Sequence, residues 1–427
     1  MTIYLRDATF IDWKTLKFQR THLAIQAGRG GSLSFPDTLP SPNLLAENDV
    51  LLDCRNKIVT KSFACGHHHI YSTLARGMPP PRKTPGNFYE ILQYVWWRLD
   101  KLLEPEMIRA SALAAALACA KNGVTFIIDH HASPSAVENS LETIAAAFDK
   151  IGVAHLLCYE LSDRDGEGAK EKGLAETENY LRAGRQGHVG LHASFTVGDD
   201  LLRRAVDLAA KYATGIHVHV AEDRIDQEVC LKEYGQRVIE RYRDAGLLAL
   251  RGSIFAHCLH LDDRERRLLR ESAVMIAQNT ESNLNNNVGD FTSRGLGPQI
   301  MLGTDGMHGD MLRSAKAAFL LGQRTEGIGL AGIYERFRKG HGYIHDNGFS
   351  GDGENNLVIL DYDSPTEIQE DNFLGHFVYG IESRHVESVI SSGRLIVHDG
   401  KLLTADEEEI LHFAREMGNK LWAKMRQ

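Results

Sequence analysis

Through the middle of the chain, short dense apolar runs alternate with longer amphipathic segments. The runs are Ile58–Ala64, Val124–Ile128, Val153–Tyr159, Val189–Phe195, Gly215–Val220, Ser253–Ala256, Val274–Ala277 and Gln299–Gly303. Between most of them lie Pro105–Lys121, Ala136–Lys150, Ala175–Ala183, Asp199–Tyr212, Gln227–Ala245 and Asp262–Glu271, with apolar residues at helical spacing. Strands apolar on both faces and alternating with helices predict a parallel sheet covered by helices. Eight repeats favour an α/β fold closed into a (β/α)8 TIM barrel over an open doubly wound sheet. No Gly-x-Gly-x-x-Gly turn follows the first run, which further weakens the open-sheet alternative.

The two ends of the chain read as strands instead. Thr2–Leu5, Ala8–Ile11 and Leu16–Ile25 form one block; Asn356–Leu360, His376–Tyr379, Val386–Ser391 and Arg394–Val397 form another. Neither block is long enough to stand alone. Together they predict one small β-sandwich, from residues 1–58 and 351–427, flanking a barrel over 59–350. Asp406–Met425 mixes charged and apolar residues at helical spacing and reads as a docking helix.

Composition narrows the function classes. A formal net charge of -9 leaves no basic footprint for nucleic acid or an anionic membrane. The longest apolar stretch, near Leu113–Ala120, is far too short to span a bilayer, and Met1–Asp7 lacks the pattern of a signal peptide. Six cysteines without close pairs suit buried thiols in a reduced, cytoplasmic protein. A homodimer or higher homo-oligomer is the base-rate expectation.

The chemistry lies just after the apolar runs. His67 and His69 follow the first, Asp129, His130 and His131 the second, and Glu160 ends the third. His192 lies on the fourth, His217 and His219 on the fifth with Glu222 beyond, and His257 follows the sixth. Asn279 follows the seventh and Asp305 the eighth. In a barrel these ends converge on one rim, where active sites form. His67 and His69 share a strand face and can address one ion while His68 points away. Either His217 or His219 could supply a third imidazole, and Asp305 a carboxylate. Such a set suits zinc, or ferrous iron, better than magnesium or calcium. No lysine lies beside the fourth strand to bridge two metals, so one divalent ion is expected. His130 and His131 read as pocket residues that select a small-molecule substrate. Trp96 and Trp97 read as packing on the barrel wall, with stacking on a planar ring the alternative.

Several of these segments resemble motifs of the amidohydrolase superfamily, in its mononuclear branch of aminohydrolases, deaminases and chlorohydrolases. They are Gly66–Gly77 with its His-x-His and terminal Arg-Gly, His219-Val220-Ala221-Glu222, Ala256–Leu261, Ser282-Asn283 and Gly303-Thr304-Asp305-Gly306. Asn356–Asp361 and Ser392-Gly393-Arg394 resemble the flanking sandwich of that branch. The resemblance implies that His67, His69, His219 and Asp305 hold the ion, which places the third imidazole at His219. It implies three catalytic groups: Asp305 as proton acceptor, Glu222 as proton shuttle and His257 as stabiliser of the attacking oxygen. His192 and Arg76 would contact substrate. The implied reaction is hydrolytic deamination of a purine, pyrimidine or triazine; release of chloride, an alkylamine or a cyclic amide on the same site is the alternative. A non-catalytic scaffold would be expected to have lost these groups.

Overall fold

A computed structural model describes all 427 residues. Eight parallel strands run in chain order: β1 (Phe63–His68), β2 (Val124–His131), β3 (Ala154–Leu161), β4 (Val189–Ala193), β5 (Ile216–Val220), β6 (Ile254–His257), β7 (Met275–Gln278) and β8 (Ile300–Leu302). Each pairs with the next, and the ring closes at β8 and β1. There the backbone N–H groups of Thr304 and Asp305 donate to the His67 carbonyl at 2.9 and 3.1 Å, and His69 N–H donates to the Asp305 carbonyl at 3.3 Å. Glycine makes this seam possible. A Cβ on Gly66 would meet the Met301 side chain at 2.7 Å, and one on Gly303 would meet Asn279 at 2.3 Å.

The barrel interior is filled by Ala64, Phe126, Ile128, Leu156, Ile254, Ala256, Met275, Ala277 and Met301, closed from below by Tyr343 and Ile344. Strand alternation carries that inward face upward: Phe126 and Ile128 lead to His130, and Leu156 leads to Glu160. Apolar packing therefore ends where the polar residues begin, at the carboxyl ends of the strands.

A second sheet of nine strands joins the two chain ends, as expected of the sandwich. Its core is Ile3, Leu5, Leu23, Ile25, Val59, Leu357, Ile359 and Ile390 with close neighbours. Four details differ from the pattern reading. Thr2–Ile11 is one strand with a bulge between Leu5 and Ala8, not two strands; Asp7 sits there at φ 58°. The first apolar run, Ile58–Ala64, is split. Ile58–Lys61 pairs with Leu357–Leu360 in the second sheet, and only from Phe63 does the chain enter the barrel. Apolarity alone cannot mark that boundary, because both sheets bury both faces of the run. Phe373–Tyr379 is a helix where a strand over His376–Tyr379 is expected, because Phe373, Phe377 and Val378 share one buried side at helical spacing. Gln227–Ala245 is two helices, Arg224–Tyr234 and Val238–Asp244, broken at Gly235 with φ 69°. The docking helix is present over Glu407–Met425. All six cysteines are buried and unpaired. No helix is long and apolar enough to cross a membrane.

Candidate metal centre and active site

Four buried side chains from three strand ends meet at the barrel mouth. Ring nitrogens of His67, His69 and His219 and a carboxylate oxygen of Asp305 all lie within 4.8 Å of one another. His67 Nε2 and His69 Nε2 stand 3.2 and 3.0 Å from Asp305 Oδ1, and His69 Nε2 stands 3.0 Å from His219 Nε2. His217 is outside this group. It sits one pleat deeper, with Nε2 2.9 Å from His67 Nδ1.

The outer nitrogens show why this set fits a cation. His69 Nδ1 lies 2.6 Å from the His130 carbonyl and His219 Nδ1 lies 2.8 Å from the His192 carbonyl. A carbonyl only accepts, so both Nδ1 atoms carry the proton and both Nε2 atoms present lone pairs. Two lone pairs facing each other at 3.0 Å beside a carboxylate are stable only around positive charge. With no ion present the His69 ring takes up that charge as a proton: burial opposes protonation, yet Asp305 outweighs burial and lifts the ring to about 9. Three imidazole nitrogens and a carboxylate are a donor set for a transition-metal ion.

The backbone is bent to aim these groups. Ala221, His257, Cys258 and Asp305 are non-glycine residues with φ of 45°, 72°, 55° and 49°. This left-handed backbone is rare for such residues and concentrates at functional sites. Asp129 is a structural brace: its Oδ1 accepts from Ile70 N–H at 2.7 Å and anchors the turn after His69.

A second group overlaps the first. Glu222, His257 and Asp305 bring one oxygen or nitrogen each within 4.8 Å of the others. Glu222 Oε2 is 3.5 Å from His257 Nε2, and Asn286 Nδ2 donates to Glu222 Oε1 at 3.5 Å. His257 Nδ1 is 2.7 Å from Asn283 Oδ1, while Ser282 Oγ donates to Asp305 Oδ2. Burial pushes the Glu222 carboxyl up to about 7, with the Asp305 charge adding to the rise and His257 opposing it. Thus Ser282, Asn283 and Asn286, all on the helix Thr280–Asn286, hold three of the site's groups. The sequence motif Ser282-Asn283 flags this helix but not what each side chain grips.

Above lies a cavity that opens at the barrel mouth. Its walls include His69, His219, Glu222, Asp305, His192 and Glu160. Its roof is formed by Phe88–Ile91, a wider turn over Leu92–Trp96, and Trp97–Leu102. Wide turns of this kind often mark functional sites. Phe88, Leu92, Trp96, Trp97 and Asp100 all line the cavity, so Trp96 and Trp97 are more than barrel-wall packing. Tyr71 and Met307 add further apolar wall.

Three expected substrate contacts do not face this cavity. His130 is wholly buried behind the histidine cluster, its Nε2 3.1 Å from the Leu191 carbonyl, and its own carbonyl orients His69. His131 alternates to the other side of β2 and bonds Ser133 Oγ at 2.9 Å; burial depresses its ring to about 3. Arg76 lies on the outer rim, Nη2 reaching the Met307 carbonyl at 3.4 Å. Strand parity accounts for His130 and His131, since successive side chains on β2 cannot face one pocket together.

The profile of the amidohydrolase family matches residues 58–330, the greater part of the barrel. The chain is 26% identical over 422 residues to the 5'-deoxyadenosine deaminase of Methanopyrus kandleri, covering 92% of this chain and 93% of that one. It is 30% identical over 347 residues to the 5-methylthioadenosine/S-adenosylhomocysteine deaminase of Pelotomaculum thermopropionicum, covering 76% and 78%. Its fold aligns with a crystal structure of an adenosine deaminase from Xanthomonas campestris with zinc bound, at a TM-score of 0.81 and 18% identity, over 98% of each chain. On the match of the family profile and the breadth of these alignments, the chain belongs to the amidohydrolase family.

Proposed function

We propose that this chain is a metal-dependent aminohydrolase that replaces an amino group on a nitrogen heterocycle with oxygen. The observation that carries the reading is the convergence of Glu222 and Asp305 at the floor of an aromatic-walled cavity, with His257 buried against them beside the three-imidazole cluster. Both relatives named above are deaminases, which supports it.

His67, His69, His219 and Asp305 would hold one divalent ion; their nitrogen-rich set suits zinc, with ferrous iron the alternative. When bound, such an ion supplies Lewis-acid chemistry, lowering the pKa of water from about 15.7 toward about 7. The chain's own groups do the rest. Tyr71, Trp96 and Trp97 wall the cavity around a planar ring. Glu222, kept partly protonated by burial, donates to a ring nitrogen and makes the adjacent carbon electrophilic. Asp305 accepts the proton of the attacking water. His257, with Nδ1–H given to Asn283 Oδ1, turns Nε2 toward Glu222 and orients that water. Its Nε2 stays 3.5 Å from Glu222, beside the attacking oxygen. Glu222, left ionised by its first donation, takes the hydroxyl proton of the adduct and passes it to the departing amine, which leaves as ammonia; the proton on Asp305 then returns to Glu222.

The test is ammonia release by metal-loaded protein over purines, pyrimidines and triazines. Ammonia with an oxygenated ring as co-product supports the reading. Chloride, alkylamine or ring-opened product, with no ammonia from any ring, overturns it.

A further inference from the structure

A second cavity lies on the outer side of the turn that carries Asp305. It is bounded by the helix Pro105–Lys121, the C-terminal helix Glu407–Met425 and the turn after β8, and Met307 lines both it and the active-site cavity. Its volume is about 620 Å3, within the range of small-molecule sites. Small side chains make the gap. Ala114, Ala115 and Ala118 line it from one helix, Ala414 and Gly418 from the other. Gly418 is buried within the C-terminal helix, yet a Cβ there would meet no atom within 4 Å. Glycine destabilises a helix interior relative to alanine, and no close approach of another segment requires it at this position. Space left unfilled beside buried residues is costly in its own right.

Two observations give this space a chemistry. His68 is 3% exposed and lines the cavity. Its Nδ1 lies 2.9 Å from Thr304 Oγ1, which leaves Nε2, on the far edge of the ring, without a protein partner. Buried polar atoms are otherwise paired, so this one marks where a bound group completes the set. Charge is the second observation. The chain has a net charge of -9, yet the lining holds Arg76, Arg415 and Lys121 against one carboxylate, Glu407. Glu407 is already paired with Lys121 at 2.7 Å. Neither arginine is ion-paired; Arg76 reaches only the Met307 carbonyl, at 3.4 Å.

The geometry points to a second small-molecule site here, one that takes an amphipathic anion. The apolar body fills the gap beside Gly418, against Leu411 and Trp422, and the acidic head meets Arg76, Arg415 and His68 Nε2. The site uses none of the groups that act on the ring in the active-site cavity.

The probes are octanoate, octane-1-sulfonate, octan-1-ol and octylammonium, titrated by calorimetry into metal-loaded protein. The two anions are expected to bind alike and at least tenfold more tightly than octanol, with no binding of octylammonium. Gly418→Leu fills the gap without a clash. It should weaken both anions at least tenfold while leaving metal content and ammonia release unchanged. Arg415→Gln should weaken both anions at least fivefold and octanol not at all, and this exposed position stands in if Gly418→Leu does not fold. Octanol bound as tightly as the anions overturns the inference. So does octanoate binding without octane-1-sulfonate, which would place the carboxylate on the ion instead. Anion binding that neither substitution moves also overturns it. A dimer in sedimentation that Gly418→Leu dissociates, with no anion bound, would give this face to a second copy of the chain and overturn the inference as well.

Discussion

His69 and His219 present their Nε2 atoms to each other across 3.0 Å, each ring fixed from behind by a main-chain carbonyl, that of His130 for one and that of His192 for the other. The fold thus spends two strand-end carbonyls on making two lone pairs meet. Without a cation the arrangement must take up protons or spread apart. Stripping metal with a chelator should therefore lower the melting temperature, and zinc should restore it. At free zinc near a hundred times its dissociation constant the ion stabilises by about 2.7 kcal/mol, which for a chain this size is roughly 3 °C. A melting curve unmoved by chelation contradicts the proposed site.

Glu222 is expected to act on protons and not on the ion. Glu222→Gln should keep the fold and the metal content, since the ion's four ligands are untouched, while lowering kcat by about 10²–10⁴-fold. Near-normal ammonia release by this variant would remove Glu222 from the mechanism.

Asn283 and Ser282 act through their neighbours. Asn283 fixes the His257 ring and Ser282 holds the free oxygen of Asp305. Asn283→Ala should lower kcat by about 10–100-fold with little change in metal content, because His257 is not among the four ligands. Ser282→Ala should weaken metal retention as well, because Asp305 is. Equal effects of the two substitutions on metal content would contradict this division.

A pH dependence follows from a histidine far from the site. His188 bridges Thr214 and Tyr343 beneath the barrel, and burial depresses its ring from 6.5 to about 3. The folded chain keeps it neutral while the unfolded chain protonates it. Its contribution is therefore whole above pH 6.5 and is lost as pH falls from there toward 3, at about 1.4 kcal/mol per pH unit. The stability advantage of the natural chain over His188→Gln should shrink steadily between pH 6.5 and 4 in urea titrations. A gap that stays constant across that range contradicts the assignment.

Much of this is legible in the sequence. Seven of the eight barrel strands fall on the apolar runs within a few residues, because a strand buried on both faces leaves an uninterrupted signal. The four clustered groups were legible because His67, His69, His219 and Asp305 stand at equivalent strand ends. The choice between His217 and His219 was not open to periodicity, since the two share a strand face, and only depth in the barrel separates them. The roof segment was illegible for another reason. Trp96, Trp97 and Asp100 lie on a short helix whose aromatic residues would look the same whether packed on the barrel or turned over the site. Its placement comes from a long-range tie, Arg164 to Asp100, that no local pattern carries.

The central claim is that one divalent ion is held where β1, β5 and β8 end. Elemental analysis of purified protein, alongside His219→Ala, addresses it directly. The account predicts close to one zinc or iron per chain in the natural protein and less than a tenth of that in a variant that remains folded. Metal-free natural protein that still releases ammonia, or a His219→Ala protein with its full complement of metal, would contradict it.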